Sequence, residues 1–559
     1  MRKFGPVAAI VALLVLFFVA NRGAYQSTFS DDDLDNIAWT RTTPASTFLS
    51  GLLSPRYFPN HFRPVGHFTY HVLANTAGLR FRPYVGAIHL LHFANAILLW
   101  VLLRRLSLDE WRAGVGVVFF VFNMALFDAL WKPMYLFDLW CALFCLVALI
   151  FYIDGRLLLS LAAFWFAYKS KEHAVALPAV LLAYEWLVGQ KQWKRVLPFA
   201  AIAASFVLQG VLVNQKAGDD YRLRFSLEAL DKTIRFYTGE PPIVGLLIFF
   251  FCLVEGQRIL LGAVAAICFL APMLVLPGRV SGAYLYVAMI GVAIAAAAYL
   301  ARHAWWWTAL LLAVWLPLNY DKMRDHRRAA LAGAHENQAY LTAAASLPVR
   351  APGVRRFLYD GFPPGLKWWG ILGALRVYYN RQDLEMFSIE DKNLTRLFEQ
   401  GDVALLKWDN PRKQLTVVKR SPGEPDQAFI RMDETTPIWQ LEEGWYQGEH
   451  KYRWIKPRAS ARLFKPAGAA EFTAEVNIGP KYLADVKHSR LSVAVDGKAI
   501  GSAEFTSGGW QIVRFSVASG PAATTRIEFT VEPEYRPSAT DPRVLGIPIG
   551  AFGFAGAKP

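Results

Sequence analysis

A dense run of acidic side chains lies near the start of the chain, in the segment SDDDLDN at 30–36. Four carboxylates fall within five positions, namely Asp31, Asp32, Asp33 and Asp35. Their mutual repulsion must be offset by water, by a bound cation or by a positively charged partner. The run follows an apolar stretch at 6–20, which comes after the basic start MRK. Acids just outside a membrane helix indicate either a catalytic site at the membrane surface or a solvated acidic loop.

The composition is that of a membrane protein joined to a soluble part. Of 559 residues, 54% are hydrophobic and only 18% are charged, and the apolar residues concentrate in the first 320 positions. The net charge of +15 does not indicate nucleic acid, because no basic stripe with interleaved aromatic residues stands out. Basic residues at the ends of membrane helices explain that charge. The four cysteines fall in apolar segments, which predicts small core residues rather than disulfides or a metal site.

Eleven apolar stretches are candidate membrane spans, since a crossing takes about 20 apolar residues. They lie at 5–20, 83–103, 113–131, 138–153, 157–168, 174–188, 196–213, 241–254, 259–276, 283–300 and 304–319. Basic residues such as Lys3, Arg104, Lys191 and Arg302 fall on one side if the N-terminus is cytoplasmic. The acidic run and the C-terminal part then lie outside the cytoplasm. The fifth stretch is short, and a re-entrant segment there would invert everything that follows.

Three regions follow from the pattern: a helical membrane bundle at 1–320, a small αβ element at 321–405 and a β-sandwich at 406–559. In the αβ element, a strand is predicted at 356–359 and a helix contains Trp368 and Trp369. Alternating apolar segments then predict strands at 414–418, 470–476, 491–495, 512–517 and 527–531. The dipeptide Asp496-Gly497 is a hairpin signal. Such short strands favour an antiparallel sandwich or jelly roll.

Several segments of the first region occur in an order that resembles the GT-C superfamily of polyprenyl-phosphate-sugar glycosyltransferases. They are SDDDLDN at 30–36, NHFRPVGHFTYH at 60–71, HLLHFANAILLWVLLRRL at 89–106, KSKEH at 169–173, PGR at 277–279 and AYLY at 283–286. The nearest likeness is to the protein O-mannosyltransferase branch and its relatives with tetratricopeptide repeats. The C-terminal third lacks those repeats, so the resemblance does not define the acceptor.

The resemblance implies that a carboxylate of the acidic run takes a proton from the acceptor. Asp32 is the first candidate, because it belongs to the acidic pair that matches the superfamily, and Asp31 and Asp33 come next. Some GT-C relatives bind a divalent cation through such acids, whereas the mannosyltransferase branch is thought not to. Oxygen ligands from Asp31 and Asp33 would suit Mg²⁺ or Mn²⁺. The sequence does not decide whether a metal is needed.

The leaving group of such a reaction is a polyprenyl phosphate, whose growing negative charge cations would stabilise. Four basic residues fall on the outer face in the predicted topology: Arg63, Lys169, Lys171 and Arg279. The alternative is that they snorkel to lipid headgroups at helix ends. Asp128 and Asp138, in the second outer loop, are candidates for positioning the acceptor or for helix capping.

The sequence therefore predicts a membrane glycosyltransferase that uses a polyprenyl-phosphate-linked sugar. Its acceptor would be a protein or a cell-envelope glycan, and its site would face the periplasm of a bacterial inner membrane. The competing prediction is a non-catalytic membrane scaffold or transporter whose outer domain binds envelope glycan. A transporter should carry ionisable groups deep within its spans, whereas most charged residues here lie at the ends of the apolar stretches.

Overall fold

A computed structural model describes residues 5–56, 62–214, 222–239, 244–390, 394–421, 423–433, 435–449, 451–538, 541 and 543–554. Residues 60 and 61 of the NHFRPV segment and the first residues of the span predicted at 241–254 lie outside these ranges. The chain divides into two compact units, Met1–His335 and Glu336–Pro559.

The first unit consists of helices. In chain order they are α1 (Gly5–Asn21), α2 (Asp31–Thr42), α3 (Ala45–Leu53), α4 (Pro64–Ala77), α5 (Phe81–Arg105), α6 (Glu110–Val121), α7 (Phe127–Trp131), α8 (Leu136–Ile153), α9 (Leu157–Ser170), α10 (Leu177–Leu187), α11 (Leu197–Asn214), α12 (Leu227–Gly239), α13 (Val244–Leu253), α14 (Gln257–Leu274), α15 (Leu285–Leu300) and α16 (Trp305–Ala344). Helix α16 has 40 residues and continues from the last predicted span into the predicted αβ element, so no element ends at the predicted boundary at residue 320.

Five helical segments in the described residues are long and apolar enough to cross a membrane, which makes the chain an integral membrane protein. A sixth is the pair Glu110–Val121 and Met124–Trp131, if the two helices form one span bent by 45°. The predicted count of eleven is not confirmed. Each predicted stretch contains a helix, but α9, α10 and α13 have only 14, 11 and 10 residues. At 1.5 Å per residue they reach about 15–21 Å, which is well short of the roughly 30 Å hydrocarbon layer.

Helices α14 and α15 pack at close range through two glycines. A Cβ atom at Gly262 would lie 2.4 Å from the backbone nitrogen of Ala295, and one at Gly291 would lie 2.4 Å from the nitrogen of Ala266. Small residues at such positions let two membrane helices approach backbone to backbone. This packing fixes the relative position of the C-terminal end of α14 and the N-terminal end of α15, both of which reach the site described below.

We expect Gly291→Val to destabilise the first unit by about 1–3 kcal/mol, because the new side chain would overlap the α14 backbone. The measurement is the thermal unfolding midpoint of the purified protein in detergent. The matched control is Gly86→Ala on α5, where a Cβ atom has nothing within 4 Å. An unchanged midpoint for Gly291→Val would show that the two helices do not pack this closely.

In the second unit, a four-stranded sheet carries the predicted αβ element. Its strands are β1 (Arg356–Asp360), β2 (Glu385–Ser388), β3 (Val403–Asp409) and β4 (Gln414–Val418), in the order β2-β1-β3-β4. Strand β1 is parallel to β2 and β3, whereas β4 runs antiparallel to β3. Short helices α17 (Leu347–Arg350), α18 (Trp368–Tyr379) and α19 (Leu394–Phe398) accompany the sheet. The strand predicted at 356–359 and the helix with Trp368 are both present.

The predicted boundary between residues 405 and 406 needs correction. It falls inside β3, and the strand predicted for the sandwich at 414–418 is β4 of the small sheet. The reason is a register in which Leu405 lies opposite Val418 and Asp409 opposite Gln414. The apolar alternation of β4 predicted a strand correctly but did not reveal its partner.

The rest of the second unit is an antiparallel sheet of nine strands in the described residues. They are β5 (Phe429–Arg431), β6 (Leu441–Glu449), β7 (Tyr452–Lys465), β8 (Glu471–Ile478), β9 (Ser489–Val495), β10 (Lys498–Phe505), β11 (Gly509–Ser516), β12 (Ala523–Glu532) and β13 (Pro548–Phe554), with a short helix α20 (Pro480–Val486). The four strands predicted from 470 onward are β8, β9, β11 and β12.

These strands form a single curled sheet instead of the two separate sheets of a simple sandwich. The main path runs β10-β9-β12-β7-β13-β8-β11, with β5 and β6 paired to β13 and β7. The two end strands lie against each other: Gly501 of β10 is so close to Phe515 of β11 that a Cβ atom on this glycine would lie 2.5 Å from the ring. The predicted hairpin is present between β9 and β10, where Asp496 and Gly497 have φ values of 48° and 75°, as a type I′ turn requires.

Candidate active site

Distant segments of the first unit enclose a polar cavity of about 540 Å³. Helix α2, the residues before α4, the end of α9 and the segment before α15 all contribute to its walls. Four residues predicted from the sequence line this cavity: Asp32, Arg63, Lys171 and Arg279. The cavity therefore brings one predicted carboxylate together with three predicted cations.

Helix α2 presents one face to the cavity, carrying Asp32, Asp35, Asn36 and Trp39. These positions are spaced three, four and seven residues from the first, which places them on one side of a helix. The acidic run forms the first turn of α2. There the positive end of the helix dipole stabilises negative charge, which offsets part of the repulsion among the carboxylates. The run is thus both a helix start and a cavity wall.

Asp33 points away from the cavity and holds the start of α2 in place. One of its oxygens accepts hydrogen bonds from the Ser30 backbone nitrogen and hydroxyl, at 2.8 and 2.6 Å, and the other accepts from the Tyr70 hydroxyl at 2.6 Å. Its side chain is fully buried. Burial raises the pKa of Asp33 to about 6, although the hydrogen bonds from Ser30 and Tyr70 lower it. Asp33 thereby orients the neighbouring Asp32.

We expect the buried carboxylate of Asp33 to make the protein less stable as pH rises from about 4 to about 6. The folded state binds this proton more tightly than the unfolded state, so raising the pH through this window removes stability. A shift from 3.8 to about 6 corresponds to about 3 kcal/mol. Thermal unfolding between pH 4 and 8 should show this slope in the wild type and a flatter profile in Asp33→Asn. Equal slopes in both proteins would contradict the assignment to Asp33.

Arg63 is held by a bidentate ion pair with Glu172. Its Nε and Nη2 atoms donate to the two carboxylate oxygens at 3.0 and 2.9 Å, and its guanidinium lies 5.4 Å from the centre of the Phe137 ring. Burial disfavours the charged guanidinium, but the ion pair with Glu172 outweighs burial and raises the pKa of Arg63. The backbone nitrogen of Arg63 also donates to His67 Nδ1 at 2.9 Å, which fixes the start of α4.

Lys171 forms a buried ion pair with Asp138. The Nζ atom donates to the carboxylate at 2.8 Å, and the two side chains are 8% and 0% exposed. The ammonium group also lies 4.8 Å from the centre of the Tyr284 ring. The backbone of Lys171 is extended between α9 and a short 3-10 helix at Glu172–Ala176, which directs this residue away from both helices. Asp138, predicted to position the acceptor or to cap a helix, lies in the first turn of α8 and pairs with Lys171 there.

An apolar cavity of about 210 Å³ adjoins the polar cavity. The two cavities share four lining residues: Arg63, Lys171, Arg279 and Tyr284. The rest of the apolar cavity consists largely of apolar side chains from α11, from the C-terminal end of α14 and from the residues just after it, such as Phe206, Val211, Met273 and Leu276. A cationic wall therefore separates a polar space with carboxylates from an apolar space between membrane helices.

Five predicted residues do not line the polar cavity in the described structure: Asp33 and Asp138, described above, and Lys169, Asp128 and Asp31. Lys169 is buried, donates to the Arg56 carbonyl oxygen at 3.2 Å and lies against the rings of Trp165 and Phe206. Asp128 forms an ion pair at 2.8 Å with Lys132, four residues along the same segment. Asp31 lies in the first turn of α2 but is not among the residues around the cavity.

In the described residues, the predicted metal ligands Asp31 and Asp33 do not belong to a group suited to hold a divalent cation. Asp33 is fully buried and both of its oxygens accept hydrogen bonds from Ser30 and Tyr70, so a metal ion would have to compete with these donors. Among the described residues, no group of three or more His, Cys, Asp or Glu side chains is arranged to hold a metal ion. No step of the reaction below is therefore derived through a metal.

Sequence reasoning missed several residues around the cavity. Glu172 and Tyr284 lie inside segments that carry the superfamily resemblance, at 169–173 and 283–286, but neither was predicted to act in the site. Tyr284, Trp39 and Tyr135 line the polar cavity, and Glu172 lines the apolar cavity beside it. The period of α2 links Trp39 to Asp32, and that spacing was the available signal. Nothing in the sequence linked Tyr135 to Ser281, whose hydroxyl lies 2.9 Å from the Tyr135 hydroxyl.

No protein-family model matches the chain, and no curated protein matches it. The chain is similar to the crystal structure of ArnT from Cupriavidus metallidurans bound to undecaprenyl phosphate. The identity is 13%, the TM-score is 0.45, and the match covers 73% of this chain and 94% of ArnT. It is also similar to the cryo-EM structure of arabinofuranosyltransferase AftD from Mycobacteria. Here the identity is 11%, the TM-score is 0.39, and the match covers 98% of this chain but only 58% of AftD.

The predicted O-mannosyltransferase branch is not confirmed. The likenesses are too distant to carry an argument about activity. The proposal below therefore rests on the geometry of the site.

Proposed function

We propose that this protein transfers a sugar from a polyprenyl-phosphate carrier to an acceptor hydroxyl or amide, with the reaction centre in the polar cavity. The observation that carries the proposal is the shared wall of Arg63, Lys171, Arg279 and Tyr284. A polyprenyl-phosphate sugar has an apolar tail, an anionic phosphate and a polar ring in that order. The apolar cavity, the cationic wall and the polar cavity follow the same order.

In this proposal the phosphate lies against Arg63, Lys171 and Arg279, and the sugar ring extends toward Asp32. The acceptor atom attacks the anomeric carbon and forms a new bond there. The bond from that carbon to the phosphate oxygen breaks, and its electron pair stays on the phosphate. Asp32 takes the acceptor proton, and the three cations stabilise the charge that grows on the leaving phosphate. Attack opposite the leaving group inverts the anomeric carbon.

Glu172 and Asp138 act in this proposal by positioning two of these cations. The fork of the Arg63 guanidinium is held by both oxygens of Glu172, and the Lys171 ammonium is held by one oxygen of Asp138. Preorganised charges stabilise a transition state better than mobile ones, because they need no reorganisation during the reaction. The carboxylates thus contribute to the reaction without contacting the substrate.

We further propose that the site faces the periplasm and that the acceptor is a protein or an envelope glycan. The orientation is supported by basic residues at the helix ends remote from the cavity, including Arg105, Arg156, Lys194 and Arg258. They lie at the opposite ends of α5, α9, α11 and α14 from the segments around the cavity.

The test compares envelope glycans and glycoproteins by mass spectrometry in a strain that lacks this protein and in complemented strains. Wild type should restore a sugar modification that the deletion loses, and Arg279→Gln should not. The matched control is Lys132→Gln, which removes a cation that lines neither cavity, and it should restore the modification. Membrane levels of all three proteins are equalised by blot.

Two further results of this experiment would be decisive. Full restoration by Arg279→Gln would contradict the assigned phosphate site. No difference in any glycan between the deletion strain and its parent would contradict sugar transfer and favour a scaffold or transporter.

A further inference from the structure

A second polar cavity, of about 380 Å³, lies in the first unit away from the candidate active site. Its walls come from the loop between α5 and α6, the start of α14 and the end of α15. The polar and charged residues around it are Ser107, Asp109, Arg112, Gln257, Arg258 and Arg302. None of them takes part in the proposed transfer.

The candidate active site and this second polar cavity lie at opposite ends of α14 and α15. Helix α14 begins with Gln257 at this second polar cavity, and Met273 near its other end lines the apolar cavity beside the active site. Helix α15 begins beside Tyr284 at the active site and ends just before Arg302. Its 16 residues correspond to a length of about 24 Å. If these helices span a membrane, the second cavity lies close to the opposite membrane face.

The second cavity carries an excess of positive charge. Three arginines and one carboxylate, Asp109, line it, so the lining residues carry a formal net charge of +2. Asp109 is already engaged, because it caps α6 by accepting from the Arg112 backbone nitrogen at 3.0 Å and also pairs with the Arg112 guanidinium. Arg258 forms no ion pair with any residue that the structure describes. The cavity is thus suited to an anion.

The backbone at Gly256 leaves room for Arg302. Gly256 precedes α14 with a φ of 138°, a conformation that side chains disfavour. A Cβ atom there would lie 3.1 Å from Nη1 of Arg302, which also donates to the carbonyl oxygen of Glu255. The glycine therefore keeps open the space into which Arg302 extends.

We propose that this cavity binds the phosphate group of an anionic membrane lipid. Guanidinium groups match the geometry of phosphate oxygens and bind them through paired hydrogen bonds. Lipid phosphates are concentrated at the depth where the ends of membrane helices lie, and basic pockets between such helices bind anionic headgroups. The proposal rests on the helices crossing a membrane and is independent of the sugar-transfer reaction.

Scattered basic residues at the same helix ends provide the comparison. Arg156 precedes α9, and Lys191 and Lys194 lie between α10 and α11, all at helix ends remote from the active site and all exposed. None of these three residues lines the active-site cavities or the second polar cavity. A face that attracts anionic lipid only through its total charge would use these residues as well as the three arginines of the second cavity.

The experiment is native mass spectrometry of the full-length protein in detergent with phosphatidylglycerol or phosphatidylcholine. The cavity variant is Arg112→Gln/Arg258→Gln/Arg302→Gln, and the control is Arg156→Gln/Lys191→Gln/Lys194→Gln, which removes the same number of charges. We expect the affinity for phosphatidylglycerol to fall by about tenfold or more in the cavity variant and to change little in the control. Binding of phosphatidylcholine should be weak in all three proteins.

The proposal is overturned if both variants lose phosphatidylglycerol to the same extent, or if neither does. A third arm adds inorganic phosphate at millimolar concentration. Displacement of phosphatidylglycerol only at high phosphate supports a lipid site, whereas binding of free phosphate without lipid preference overturns it. The single variant Gly256→Val, which crowds Arg302 while keeping all charges, should weaken phosphatidylglycerol binding even if the triple variant fails to fold.

Discussion

Asp32→Asn is expected to lower sugar transfer by about 10²–10⁴-fold without unfolding the protein, because it removes the proposed proton acceptor and keeps its shape. Asp32 is half-buried on the face of α2 that lines the polar cavity, which Arg63, Lys171 and Arg279 also line. An asparagine at this position keeps the helix face and its polarity but cannot take the acceptor proton. The measurement is the amount of modified acceptor, by mass spectrometry, at equal membrane levels of wild type and variant.

The matched control for this prediction is Asp31→Asn, one residue earlier in the same helical turn. It removes an identical charge from the same end of the α2 dipole, but Asp31 does not line the cavity among the described residues. Transfer should therefore stay within a few fold of wild type. Equal losses from the two substitutions would mean that the acidic run acts through its total charge. Full activity of Asp32→Asn would remove this residue from the proposed reaction.

The resemblance put Asp32 first among the acids, and Asp32 lines the cavity, but no local pattern in the sequence distinguishes it from Asp31 or Asp33. Adjacent residues on a helix differ by about 100° in direction, so Asp31, Asp32 and Asp33 point to different surroundings. Their directions depend on contacts with Tyr70, which is 37 residues away from Asp33. No local pattern contains that information, whereas the resemblance to a superfamily did single out the acidic pair.

The membrane topology shows a similar limit. Each of the eleven apolar stretches predicted from hydropathy contains a helix, because apolar composition is a local property of the sequence. The length of α9 depends instead on where the helix is interrupted, at Lys171. An apolar stretch predicts burial in lipid or in protein equally well, so the count of crossings did not follow from composition.

Charge pairing around the active site was also beyond the sequence. Asp138 and Lys171 are 33 residues apart, and Arg63 and Glu172 are 109 residues apart. The sequence predicted a position for each cation on the outer face but not a carboxylate partner. This difference matters because an unpaired cation at a helix end interacts with lipid headgroups, whereas a paired and buried one is part of the folded core.

The buried pair of Asp138 and Lys171 leads to the second large effect. We expect Asp138→Asn to destabilise the protein by about 3–5 kcal/mol, because it leaves the Lys171 ammonium buried without its counter-charge. Lys171→Met should be similarly costly, since it leaves the fully buried Asp138 carboxylate unpaired. Thermal unfolding in detergent measures both. The control is Asp128→Asn, whose partner Lys132 is 43% exposed, and whose loss should cost less than about 1 kcal/mol.

The double substitution Asp138→Asn/Lys171→Met separates the structural role of the pair from its proposed role in transfer. With both charges removed, no ion is left buried alone, so most of the lost stability should return. Transfer should stay low, because the cavity wall then lacks one of the three cations proposed to stabilise the leaving phosphate. Recovery of both stability and transfer would mean that the pair only holds α8 and α9 together. Recovery of neither would mean that the two charges are not each other's main partners.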